Sequence, residues 1–94
     1  MLNLSGKVFW VTGSSRGIGS GVARHLAEHG ASIVVHGRST ESLAPIIAEL
    51  SNITQVLGIA ADVRDEQSLI SAVKQIEEKF GRLDGVVANV GGAA

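Results

Sequence analysis

The 94 residues include 8 Lys+Arg against 9 Asp+Glu, for a net charge of −1, with 45% apolar residues, 12 glycines and no cysteine. That length allows one core and no second substrate-binding lobe, since a domain of roughly 100 residues buries only about two thirds of the surface its unfolded chain exposes. The balanced charge lacks the basic footprint of a nucleic-acid partner, and the missing cysteines exclude disulfide scaffolds, thiolate metal sites and thiol nucleophiles.

The chain alternates two periodicities. Lys7 to Thr12 is a short β-prone apolar run, and Gly17 to His29 then places Ile18, Val22 and Leu26 four residues apart, as one stripe of a helix. Gly30 is placed to end that helix in the left-handed conformation. A second strand is expected over Ala31 to His36. A second helix follows, with Leu43, Ile46, Ile47 and Leu50 at i, i+3, i+4 and i+7. Pro45 suits the first turn of that helix if Ser42 is its N-cap, because the amide that proline lacks has no intrahelical partner there.

A third strand is expected over Thr54 to Ala60. Asp65 then caps a helix carrying Leu69, Val73, Ile76 and Phe80 on one side, with Gly81 ending it. A last strand is expected over Leu83 to Ala88. The order βαβαβαβ, with continuously apolar strands, predicts an α/β fold: one partial domain over residues 1–94, with a parallel sheet covered on both faces through right-handed crossovers. No apolar run approaches the roughly 18 to 20 residues of a membrane span, and Met1 to Lys7 has no apolar stretch like a signal peptide, so a soluble, cytoplasmic protein is expected.

The first strand-to-helix connection reads Thr12-Gly13-Ser14-Ser15-Arg16-Gly17-Ile18-Gly19. In a turn that binds a dinucleotide's diphosphate, Gly13 permits the sharp reversal after the strand, Gly17 leaves room for the diphosphate against the backbone, and Gly19 lets helix and sheet approach. Amides at the helix start then face the anion, aided by the positive end of the helix dipole. The bland alternative is a turn built only for tight strand-to-helix geometry. Its position at the head of a βαβ unit favours the binding role. With no lysine after the last glycine, a nucleoside-triphosphate loop is disfavoured.

The G-x-x-x-G-x-G spacing with Thr12 in front resembles the cofactor turn of the short-chain dehydrogenase/reductase family. Three further matches extend the resemblance along the chain: Asp62-Val63 after the third strand, Asp84 entering the fourth, and Ala88-Asn89-Val90-Gly91 at its end. The family pattern at that last site is Asn-Asn-Ala-Gly, so Ala88 and Val90 depart from it. The resemblance implies a Rossmann-type, doubly wound sheet in strand order 3-2-1-4, and hydride transfer between a nicotinamide cofactor and a small carbonyl or alcohol in a dimer or tetramer. It also implies that Ser15 and Ile18 line the phosphate end of the cofactor. Asp62 and Val63 should meet its adenine, and Asn89 and Gly91 the nicotinamide-side ribose, Asn89 also joining strand backbones. For Asp62, capping a turn before the third helix is the plain alternative.

In NAD-selective folds an acid about 20 residues beyond the glycine turn accepts from the adenosine ribose hydroxyls. Here no acid occurs between Glu28 and Glu41, and the second strand ends His36-Gly37-Arg38-Ser39. Guanidiniums from Arg16 and Arg38, with Ser39 beside them, suit a 2′-phosphate and favour NADP(H) over NAD. Solvated surface arginines and loosely bound NAD form the competing expectation.

His25 and His29 are four residues apart without a third metal ligand nearby, so surface histidines are expected and no metal site. His36 is left with two readings, a hydrogen bond near the cofactor phosphate or a plain loop role. The family's later Ser and Tyr-x-x-x-Lys are not found, and the chain holds no tyrosine, so no catalytic residue is assigned. The expectation is the truncated, cofactor-binding amino-terminal half of a reductase, with a non-catalytic nucleotide-binding or assembly module as the alternative. On the fragment reading the fourth strand, with Val86 and Val87, should form an unpaired apolar edge that lowers stability or invites association.

Overall fold

The elements follow the expected alternation: β1 (Val8–Val11), α1 (Gly17–Glu28), β2 (Ser32–Gly37), α2 (Thr40–Leu50), β3 (Val56–Ala60), α3 (Glu66–Phe80) and β4 (Gly85–Val87). They are taken from a computed structural model, which describes residues 2–62 and 64–89. The strands form one parallel sheet in the order β3-β2-β1-β4. Val8 to Val11 pair with Ser32 to Val35 on one side, and Phe9 to Val11 with Gly85 to Val87 on the other. This is the Rossmann-type sheet implied by the family resemblance.

Strand alternation sends successive side chains to opposite faces, and both faces are covered. Val11, Ile33 and Val35 pack with Ala23 and Ala27 of α1 and with Leu43, Ile46 and Leu50 of α2. Val8, Trp10 and Val34 face the other way, onto Ala72 and Ile76 of α3. The core is aliphatic apart from Trp10. Among the described residues no helix is long and apolar enough to cross a membrane.

The helix faces differ from the expected stripes at particular residues. On α1 the buried line is Gly19, Ala23 and Ala27, whereas Ile18 is 79% exposed and Val22 and Leu26 only flank the core. On α3, Ala72 is buried where Val73 was expected, and Val73 is 47% exposed. Small side chains let each helix axis settle close to the sheet, so the large residue one position away is turned outward.

The second helix begins earlier than expected. Its N-cap is Ser39, not Ser42: the Ser42 amide donates to Ser39 Oγ at 3.1 Å, and Ser42 Oγ donates back to the Ser39 carbonyl at 2.9 Å. Pro45 therefore lies beyond the first turn, where it removes the amide that would have met the Glu41 carbonyl. The cap outweighs that loss because it satisfies an otherwise orphan donor at the third helical position. The other caps are as expected. Asp65 accepts from the Gln67 amide, Gly81 has φ 73°, and Gly30, at φ 101°, donates to Ala27 while Ala31 donates to Leu26, a Schellman closure.

Strands β3 and β4 are shorter than their apolar runs. The Thr54 amide donates to Leu50 at the end of α2, so β3 starts at Val56. Before β4, Asp84 is held at the start of β1: its amide donates to the Val8 carbonyl and its carboxylate accepts the Val8 amide, both at 2.8 Å. Strand β4 ladders only with β1 among the described residues, and Val86 is 55% exposed.

Candidate cofactor site

The strand order reverses between β1 and β4, and in sheets of this kind ligands bind beyond the carboxyl ends of the strands at that reversal. Side chains join those two ends here. The Thr12 amide donates to the Val87 carbonyl at 3.0 Å, and Thr12 Oγ1 accepts the Asn89 amide at 2.8 Å. Asn89 Nδ2 donates to the Gly13 carbonyl at 3.2 Å. Asn89 thus holds the mouth of the glycine turn to the end of β4.

The three glycines are used differently. Gly13 has φ 60°, and an added Cβ would lie 2.7 Å from the Asn89 carbonyl oxygen. Gly17 has φ 64°, and an added Cβ would meet nothing within 4 Å, so backbone there opens to space. At Gly19 an added Cβ would sit 2.1 Å from the Gly13 oxygen and 2.7 Å from Asn89 Nδ2. The close approach at Gly19 is therefore between α1 and its own preceding turn, rather than between α1 and a strand.

Helices α2 and α3 are each capped by their own side chain, Ser39 or Asp65, and each has a glutamate in its first turn. Helix α1 has neither. Its N-cap is Arg16, extended at φ −163° with no side-chain cap, and no acid lies in its first turn. Amides at this end, at the sheet reversal and beside the open space at Gly17, form a concentration of unneutralised partial positive charge.

Ser14 and His36 anchor the turn from beneath. Ser14 is fully buried; its Oγ accepts the His36 amide at 2.7 Å and its own amide donates to the His36 carbonyl at 2.8 Å. The His36 ring accepts the Gly13 amide through Nδ1 at 3.2 Å and meets the Ala61 carbonyl through Nε2 at 2.9 Å. Burial holds the imidazole pKa below its ordinary 6.5, outweighing the opposing pull of the Ala61 bond and the Asp62 charge. The residue pattern left His36 open and gave no signal for Ser14, because their 22-residue separation becomes a contact only once β1 and β2 pair.

The remaining expected residues occupy the rim. Arg16, Ile18, Arg38 and Ser39 are exposed and Ser15 is half-buried. Among the described residues, neither Arg16 nor Arg38 forms an ion pair. Asp62, beyond β3, accepts both the Arg64 amide at 2.9 Å and its guanidinium through both carboxylate oxygens at 3.1 Å. These bonds hold its carboxyl below the usual range, with Arg38 adding a weaker pull in the same direction. Asp62 therefore closes a turn, while Arg38 approaches it from β2. Val63 and Gly91 lie outside the described residues. His25 and His29 meet at 4.5 Å between ring centroids, tilted 54°, at the C-terminal end of α1, away from this site.

The sequence pattern of the short chain dehydrogenase family matches residues 7–94, nearly the whole chain. The protein belongs to the short-chain dehydrogenase family. Among curated relatives, hydroxynaphthalene reductase arp2 of Aspergillus fumigatus is 41% identical over 92 residues, covering 96% of this chain and 34% of the relative. Oxidoreductase UcpA of Escherichia coli K12 is 39% identical over 93 residues, covering 97% of this chain and 35% of the relative. The chain thus spans about a third of the length of these relatives. Among solved structures, L-sorbose reductase of Gluconobacter frateurii, in complex with NADPH and L-sorbose, superposes with a TM-score of 0.91 at 34% identity, over 99% of this chain and 36% of that one.

Proposed function

We propose that this chain forms the cofactor-binding part of an NADP(H)-dependent oxidoreductase acting on a small carbonyl or alcohol. The observation that carries the reading is the N-terminus of α1, uncapped and free of acids, set at the sheet reversal beside the open backbone of Gly17. It fits a diphosphate: the amides donate, the helix dipole favours the anion, and no carboxylate opposes it. Arg16 and Arg38 would attend the adenosine 2′-phosphate, with Ser39 offering its hydroxyl. Asp62 and Val63 would face the adenine, and Asn89 and Gly91 the second ribose; Ser15 and Ile18 would line the diphosphate. When bound, the nicotinamide supplies or accepts the hydride; the residues named here bind and orient it. The NADPH in the L-sorbose reductase complex supports the choice by kinship.

Calorimetric titration with NADP⁺ and NAD⁺ tests the reading. The wild type should prefer NADP⁺, and Arg38→Asp should reverse the preference by removing a cation and adding a repulsive carboxylate near the 2′-phosphate. The phosphate-arginine contact contributes about 1.5–3 kcal/mol, so the preference ratio should fall by at least roughly tenfold. A ratio unchanged by Arg38→Asp would remove NADP(H) selectivity from the reading. Turnover is not expected of this chain under either reading; binding without turnover in a full-length protein carrying the later Ser and Tyr-x-x-x-Lys would favour the assembly module instead.

A further inference from the structure

Among the described residues, His36 is the one buried ionisable side chain in direct contact with the glycine turn, at 6% exposure. A backbone amide can only donate, so the Gly13 N–H at 3.2 Å requires a lone pair on Nδ1. A carbonyl can only accept, so the Ala61 oxygen at 2.9 Å requires the proton on Nε2. The two bonds together specify a single neutral tautomer. Trp10 meets the ring edge-on at a centroid distance of 6.2 Å and encloses it on the α3 side of the sheet. The His36 amide and carbonyl hold Ser14, so one residue of β2 fixes two consecutive turn positions and the residue just before Asp62.

We infer that the neutral imidazole of His36 is a positioning residue for cofactor binding: it draws the Gly13 amide inward, and so fixes the turn from which the α1 amides face a dinucleotide's diphosphate. A second proton would place an N–H on Nδ1 against the N–H of Gly13 and remove the acceptor, releasing the turn. Among charged groups on the surrounding elements, the Asp62 carboxylate beyond β3 acts on the ring, itself paired to Arg64; β1 carries none, and the charged residue of the turn, Arg16, is exposed at its rim. The inference rests on the reading of this turn as a cofactor site.

The test measures NADP⁺ affinity calorimetrically on the full chain from about pH 8 down to about pH 5, for wild type, His36→Asn and His36→Leu. The side-chain oxygen of Asn can take the place of Nδ1 as acceptor but does not titrate. The 2′-phosphate titrates near pH 6 in every case, so its contribution cancels in the ratio of variant to wild type. Wild-type affinity should fall as pH drops through the imidazole's folded pKa, which burial holds below the ordinary value, by up to about tenfold per pH unit beneath it and beyond any fall in His36→Asn. His36→Leu should bind at least about tenfold more weakly at pH 8. If His36→Leu does not fold, His36→Asn carries the comparison, and imidazole nitrogen NMR shifts of the wild type should report the proton on Nε2. An identical pH profile in wild type and His36→Asn, or a proton on Nδ1 at pH 8, overturns the role of His36 while leaving the cofactor site standing. No binding by the wild type at pH 8 overturns the cofactor reading, and this inference with it.

Discussion

Gly19 and Gly21 lie two residues apart on α1, yet an added methyl group should change stability in opposite directions at the two positions. At Gly21 an added Cβ would meet nothing within 4 Å and the position is exposed, so alanine contributes only its better helix propensity, about 0.5–1 kcal/mol of stabilisation. At Gly19 the same propensity gain applies, but the Cβ would sit 2.1 Å from the Gly13 oxygen, and an ordinary carbon–oxygen contact is about 3.3 Å. Helix and turn must therefore separate by roughly 1 Å. The obstacle is backbone, so the overpacking cost falls at the upper end of about 1–3 kcal/mol. Loss of the Asn89 to Gly13 hydrogen bond, now 3.2 Å, adds about 1 kcal/mol. Set against the propensity gain, these two costs leave Gly19→Ala destabilised by about 3–3.5 kcal/mol. Urea unfolding with matched slopes reads both values as shifts of midpoint, and NADP⁺ titration should show binding kept in Gly21→Ala and lost in Gly19→Ala. A Gly19→Ala protein as stable as wild type, or midpoints moving the same way in both variants, would refute the packing argument.

Two further perturbations address the frame around the site. Ser39→Ala should cost α2 about 1 kcal/mol in urea midpoint, and Ser42→Ala clearly less, because only Ser39 satisfies an orphan amide; equal losses would move the cap back to Ser42. The Asp84 pKa lies below its ordinary 3.8, first through the Arg82 guanidinium and then through the Val8 amide. The unfolded chain therefore binds the proton more readily, and the carboxylate stabilises the fold above pH 3.8, an advantage lost as pH falls through the lowered value. Asp84→Asn should thus be less stable than wild type at neutral pH, with the gap closing in acid. A pH-independent gap between the two midpoints would contradict that linkage.

Much of the frame was legible from residue pattern alone, because strand runs such as Ile33-Val34-Val35 and the spacing of Leu43, Ile46 and Leu50 carry periodicities with one interpretation. The errors share a cause. Pattern reading gives weight to large apolar residues, so it chose Ile18 and Val73, whereas Gly19, Ala23 and Ala72 are buried where a helix comes close to the sheet. The Ser42 assignment followed from placing Pro45 in the first turn; the reciprocal Ser39–Ser42 bonds outweigh that local rule. In the site, the glycine spacing announced the turn, but its anchoring by Ser14 and His36 depends on contacts 22 and 23 residues apart that exist only after the strands pair. The Asp62–Arg64 chelate is the opposite case, a local pairing visible in sequence as opposite charges two residues apart.

The three-residue β4 is stitched to β1 at its start by Asp84 and at its finish by Thr12 and Asn89. Sliding it by one residue would undo both stitches and exchange the faces to which Val86 and Val87 point. The crevice width at the sheet reversal is thereby set from within, independent of whatever segment covers β4's outer side. Such a layout lets the flanking architecture diversify while the mouth at the sheet reversal keeps constant dimensions.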